Sequence, residues 1–296
     1  MSRKQLNVPP LDTTAYQSPG ISNAGDNSVF DKRKKLIDHG FTKGMMHELD
    51  QARVDCLLHI WILDNSVSTS QADGLRMVSL RDINTKTLVK CTRWDDIMET
   101  ALYHAQMAIW VDIPTSFRLL NTVPDVESEF SMAYEPYTSE EHAKQDLNRF
   151  QQWLMKVQPT GRTPLTTHIY EIRKLVRSIT STIDLKTQHV VLIVATDGFP
   201  SNEKGSCNDE QNELFRKSVK LLEKLPIRII FRLYSNHSGL RKVYVFFCFV
   251  TVQTQYAISK LFFSYIFFLS INSFLVLLGS QIRCKLPNGY YEYFIQ

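Results

Sequence analysis

At 296 residues, with 44% hydrophobic and 22% charged residues, the chain has a globular composition and is long enough for one domain of roughly 180–250 residues plus tails, or for two small domains. A net charge of +4 does not by itself argue for a nucleic-acid partner, and none is expected. Five scattered cysteines (Cys56, Cys91, Cys207, Cys248, Cys284) contain no C-x-x-C pair, which argues against a disulfide framework and a zinc cluster. The opening "MSRKQLNVPPLDTTAYQ" has no apolar signal-like run, so a reducing, cytoplasmic setting is expected.

Residues 1–30, rich in Pro, Ser, Asn and Gly, read as a disordered lead. Residues 31–53 read as a basic helical lead-in, and its run Lys32 to Lys35 as a solvated helix face rather than a nuclear address or nucleic-acid contact. "DCLLHIWIL" (55–63) is a near-continuous apolar run, the pattern of a strand buried on both faces. Two short strands, 74–80 and 86–92, follow around the polar turn "RDINTK", and Thr92 with Asp95 forms a capping box that opens a helix at about 94–110. A strand at 115–121 and helices at 138–156 and 165–182 come next. "QHVVLIVAT" (188–196) is a second all-apolar strand, "DEQNELFRKSVKLLEKL" an amphipathic helix, and "IRIIFRLY" (227–234) a third buried strand. This alternation predicts an α/β domain over 54–235, with a mostly parallel sheet and helices on both faces. The tryptophans Trp61, Trp94, Trp110 and Trp153 fall in apolar patterns and are expected in the core.

In such sheets ligands bind beyond the carboxyl ends of the strands. Asp64 ends the first apolar run and Asp197 follows the second, while the loop "TGRTPLTT" (160–167) carries Thr163. In "DNSVS", Ser66 and Ser68 stand at alternate positions, where a turn can aim both hydroxyls the same way. Magnesium prefers about six oxygen ligands and usually keeps waters. Ser66, Ser68 and Thr163 are therefore the expected direct ligands, with Asp64 and Asp197 one step out, holding waters and orienting hydroxyls. Neutral hydroxyls leave the ion short of negative charge, so a partner protein's Asp or Glu is expected to complete it. Mn²⁺ accepts the same hard oxygens as Mg²⁺.

Together, "DNSVS", "TPLT" and "VVLIVATDGFP" resemble the three metal-site motifs of the von Willebrand factor A domain. The first motif, D-x-S-x-S, is met by Asp64, Ser66 and Ser68; the second, a threonine often within T-P-L, by Thr163; the third, an aspartate often in T-D-G, by Asp197. The resemblance spans residues 54–235, and "WILDNS", "ADG" and "CTRW" look closer to intracellular eukaryotic members than to secreted ones. It implies a Rossmann-like, doubly wound domain with a metal-ion-dependent adhesion site, non-catalytic, that binds proteins through Mg²⁺. One residue departs from the pattern. Val67 stands where many members have Gly, and a β-branched residue resists positive φ. If the turn needed that conformation, the site would be vestigial and the protein a membrane-tethered scaffold.

A Ser66–His168–Asp197 hydrolase triad is the remote rival, but the G-x-S-x-G elbow is missing. Neither G-x-x-x-x-G-K-[ST] nor G-x-G-x-x-G occurs, so nucleotide chemistry has no anchor, and Glu203 and Lys204 read as exposed loop charge.

Beyond position 240 the chain changes character: of 30 acidic residues only Glu292 lies there, against nine of 17 Phe. Residues 241–280 form a hydrophobic segment and 281–296 a tail, and "VYVFFCFVTV" (243–252) fits a strand. The uncharged "LFFSYIFFLSINSFLVLLG" (261–279) is long enough to span a bilayer. Three readings of this segment stand open: a membrane anchor on the cytoplasmic domain, a buried core helix and final strand of the domain, or a translated intron.

Overall fold

The computed structural model describes residues 30–79, 86–180, 188–235, 240, 243–244, 274–278, 281–285 and 291–295. Strand β1 (Cys56–Leu63) lies inside the sheet because its neighbours pair with both its edges. Parallel to it run β4 (Thr115–Leu119) on one side and β6 (His189–Thr196) on the other, with β7 (Ile227–Leu233) parallel beyond β6. The short β5 (Glu129–Met132), which no sequence pattern announced, closes the β4 edge antiparallel. The protein is thus α/β, with a mostly parallel five-stranded core.

The all-apolar runs are explained by two packed faces. Leu58, Ile60 and Ile62 of β1, with Val190, Leu192 and Val194 of β6, meet α5 (Leu165–Thr180) and α6 (Asp209–Lys220). The alternate residues Trp61, Leu63, Val191, Ile193 and Ala195 meet α3 (Arg93–Val111) and α4 (Glu140–Lys156). In α5 the buried Leu165, Ile169, Ile172, Val176 and Ile179 recur at spacings of three and four, one stripe of a 3.6-residue helix. Along α3, Ala101, Ala105 and Ala108 are buried, which lets the helix lie close against its neighbours. Its start is fixed as expected: Thr92 Oγ1 accepts from Asp95 N, and Asp95 Oδ2 accepts from Thr92 N. All four tryptophans are buried.

The expected pair of short strands forms an antiparallel hairpin, β2 (Gly74–Ser79) with β3 (Lys86–Cys91), outside the main sheet. Gly74 begins it because a Cβ there would lie 3.0 Å from Cys91 O, Cys91 Sγ and Thr92 O.

The C-terminal expectations are corrected in part. Residues 243–244 are helical rather than extended, and Leu240, Val243 and Tyr244, beyond the expected boundary at 235, are buried in the α5–α6 face. Strands β8 (Phe274–Leu278), β9 (Gln281–Lys285) and β10 (Tyr291–Ile295) continue the sheet antiparallel from β7, in the order β7–β10–β9–β8. The residues expected as a tail thus supply two strands. Among the described residues no helix is long and apolar enough to cross a membrane. Residues 274–278 of the 261–279 segment are strand, and the rest of it, like the lead at 1–29, lies outside the described residues.

The basic lead-in is helical, as α1 (Lys32–Asp38) and α2 (Lys43–Asp55). Three of the four charges of Lys32–Lys35 pair with acids, while Arg33 and Lys34 keep the exposed position expected of a solvated face. Lys32 pairs with Asp112 at 2.6 Å, Arg33 with Asp50 at 2.7 Å, and Lys35 with Glu140 at 2.9 Å. The Lys32–Asp112 side chains are only 15% and 14% exposed, while those of Arg33 and Asp50 are 69% and 53% exposed. Solvent screens the second pair far more than the first. Lys32→Met is therefore expected to lower unfolding stability by about 1 kcal/mol and Arg33→Met by less than about 0.5 kcal/mol. Urea denaturation checks this, and equal losses would refute the assignment.

Candidate functional site

After β1 the chain moves outward to β4 and β5, then returns to pair β6 on β1's other edge. The change of direction therefore lies between β1 and β6, and sheets of this kind bind ligands beyond the carboxyl ends of the two strands at such a point. Asp64 and Asp197 stand at those two ends.

Asp64 N continues the ladder to Ala195 O at 2.9 Å, and the residue has no solvent exposure. A buried carboxylate needs donors. Its Oδ1 accepts Ser66 N at 3.0 Å, and its Oδ2 accepts the Thr196 hydroxyl. Burial, then the charge on Asp197, pushes the Asp64 carboxyl above the ordinary range. Asp197 is also raised by burial, with Arg93 and Ser68 pulling the other way.

The loops are tied together by two asparagines. Asn65 Oδ1 accepts Asn121 N at 2.7 Å while its Nδ2 donates to Asn121 O at 2.9 Å. Asn121 repeats the device toward the next loop: Nδ2 donates to Arg162 O at 2.7 Å and Oδ1 accepts Arg162 N at 3.2 Å. Thr160 N donates to Asn65 O at 2.7 Å. Gly161 sits in this bridge with φ +73°, where a Cβ would lie 2.3 Å from Asn121 Oδ1, so only glycine fits. Thr163 is then locked to the loop after Asp197, its N donating to Ser201 Oγ at 3.0 Å and its O accepting Ser201 N at 2.9 Å. Tyr244 holds the same loop from beneath, its hydroxyl donating to Gly198 O at 2.9 Å.

Three of the predicted residues meet side chain to side chain. Ser66 Oγ and Ser68 Oγ are 3.0 Å apart, and Ser68 Oγ donates to Asp197 Oδ1 at 2.8 Å. Thr163 Oγ1 lies 2.9 Å from where a Cβ on Gly198 would stand, which brings it beside Asp197's own backbone. Residues Val67–Ser70 form a single 3₁₀ turn, pinned by Thr69 Oγ1 to Ser66 O at 2.8 Å. Val67 is not among the described non-glycine residues with positive φ, which are Asp112, Asp125 and Ala133. The turn therefore accepts a β-branched residue, and the reason offered for misaimed hydroxyls is absent. Val67 projects outward instead, 57% exposed.

The imagined triad is not assembled. His168 Nε2 lies 2.8 Å from Leu120 O, while Ser66 pairs with Ser68, and Asp197 with Ser68 and Arg93.

Sequence reasoning missed Arg93, Asn65, Asn121 and Thr196. Arg93 Nη1 donates to Asp197 Oδ2 at 2.8 Å, and its Nε donates to Asp73 Oδ1 at 2.7 Å. The capping box fixed the helix start and so the place of Arg93, but nothing local marked its reach to Asp197. Asn65 in "DNS" and Thr196 in "ATD" stand next to the two acids, and that adjacency is the signal that could have found them.

The cluster thus offers two carboxylates and three hydroxyls, all hard oxygens. Among the described residues no group of three or more His, Cys, Asp or Glu is placed to hold a metal. Spacings of 2.8–3.0 Å suit a hydrogen-bonded row, and they also match the edge of an octahedron, about 3.0 Å for metal–oxygen bonds of about 2.1 Å. The donor set fits a small divalent cation. The chain matches no known family model and no curated protein.

Gly198→Ala is expected to push Thr163 aside and lower the melting temperature by roughly 2–5 °C. Gly44→Ala in α2 meets nothing closer than 4.0 Å and is expected to leave it unchanged or raise it slightly. Calorimetry of the two variants tests this, and equal effects would contradict the close approach.

Proposed function

We propose that this chain is a divalent-cation-dependent protein-binding module of the von Willebrand factor A type, cytoplasmic and without catalysis of its own. In this reading Ser66, Ser68 and Thr163 hold Mg²⁺ or Mn²⁺ directly, while Asp64 and Asp197 hold its waters and orient the hydroxyls. The observation that supports it is the meeting of Ser66, Ser68 and Asp197 in one oxygen row, 129 residues apart in the chain at its second link. Hydroxyls bring no charge, and Arg93 shares the charge of Asp197. A bound ion is then under-neutralised and draws an Asp or Glu from a partner protein. Val67, exposed beside the hydroxyls, offers that partner an apolar contact.

The test is thermal unfolding of the full chain with and without Mg²⁺. An ion at about 100 times its Kd stabilises the folded state by about 2.7 kcal/mol, a rise of several degrees. Chelator is expected to reverse the rise. Ser68→Ala, at a half-buried position, is expected to abolish it while leaving the metal-free melting temperature within about 2 °C. No response to millimolar Mg²⁺ or Mn²⁺ would sink the proposal. Capture of partners in the presence of Mg²⁺, and its loss with chelator, is the companion measurement.

A further inference from the structure

We infer that Arg93 is a resident counter-cation of the oxygen cluster, competing with a divalent ion for Asp197, and that Asp73 governs the competition by holding the guanidinium. The inference rests on the cation-binding reading above and concerns the regulation of that same site.

Arg93 is the first residue of α3, its backbone N donating to Gln71 O at 3.0 Å. Its side chain is only 12% exposed and lies between two carboxylates. Nε and Nη2 grip the two oxygens of Asp73 as a fork, while Nη1 donates to Asp197 Oδ2. Asp197 is thereby divided, with Oδ2 facing the guanidinium and Oδ1 accepting from Ser68. The oxygen a cation would engage through the hydroxyl row and the oxygen held by Arg93 belong to one carboxylate.

The charges then decide the behaviour. Asp64 and Asp197 are both buried, so water does little to offset two like charges at one end of the sheet. Without an ion, Arg93 is the positive charge that offsets them. With a divalent ion on the hydroxyl row, that same charge lies one carboxylate width away and repels it, in a setting where water screens weakly. Asp73 moderates the repulsion. Its charge offsets part of that of Arg93, and its two-oxygen grip holds the guanidinium from an acid that is itself 56% exposed. Lysine would be a poor substitute, because a point charge cannot span two carboxylates as a planar fork does.

A structural pin, joining the 71–73 loop to α3, predicts something different. Breaking a pin from either end lowers stability in the same way and leaves cation affinity alone. Competition predicts opposite signs at the two ends.

The experiment is calorimetric titration of the full chain with MgCl₂ and MnCl₂ at fixed ionic strength. It is applied to the wild type, Arg93→Gln, Arg93→Ala and Asp73→Asn, with thermal unfolding of each with and without the ion. Arg93→Gln keeps donors and bulk, which guards against an alanine variant that fails to fold. Neutralising Arg93 is expected to tighten binding about five- to tenfold, and to lower the melting temperature of the metal-free protein more than that of the saturated protein. Asp73→Asn is expected to weaken binding by a factor of about three or more. A wild type too weak to measure beside a measurable Arg93→Gln would also support the competition. Binding by the wild type with no change, or changes of the same sign at both positions, would overturn the inference and leave the cation site standing. No binding by any variant, Arg93→Gln included, would overturn both.

Discussion

The buried carboxylate of Asp64 is the constraint around which the loops beyond β1 and β6 are organised. It stands where β1 ends, at the point where the sheet reverses its order, and it has no contact with water. A charge in that position is tolerated only if donors surround it, since leaving such a group unmet costs several kcal/mol. The Ser66 amide and the Thr196 hydroxyl meet that need, and each comes from a segment that must then sit close. The turn that supplies the amide also carries the serine hydroxyls. The strand that supplies Thr196 delivers Asp197 one residue later. Satisfying one acid therefore assembles most of the oxygen cluster.

Asn65 and Asn121 extend the same logic sideways. Each side-chain amide mimics a strand edge, accepting from one backbone N–H and donating to one C=O, so three loops without regular structure acquire a ladder between them. That ladder places Thr163, and the reciprocal bonds with Ser201 fix it against the residues after Asp197. A rim built this way is held in place without being a helix or a strand.

The margins of the domain follow from burial and charge. Three of the four charges in the basic run at Lys32–Lys35 pair with Asp112, Asp50 and Glu140, tying α1 to the end of α3, to α2 and to α4, while Arg33 and Lys34 stay exposed. At the other end, Tyr244 is buried between Phe215 and Phe231 and bonds Gly198 O, so the second core face is completed by residues beyond the compositional break. Composition marked that break correctly as a change of material. It did not mark where packing stops.

Much of the architecture was legible along the chain, because burial leaves a local signature. Strands β1 and β6 read as unbroken apolar runs since both their faces are covered, α5 read as a stripe since one face is, and the Thr92–Asp95 box announced α3 through bonds spanning three residues. The two acids and the serine pair were legible because they directly follow those strands. The edge strand β5, four residues long and only partly buried, has no such signature, and its place comes from pairing with β4. Neither could the sequence show that Arg93 faces Asp197 across 104 positions, nor that Asn65 and Asn121 lace the loops, nor that Val67 needs no positive φ. Periodicity records how each residue meets solvent or core. Which charges and amides face one another depends on the order in which strands are laid side by side, and that is decided only when the chain has folded.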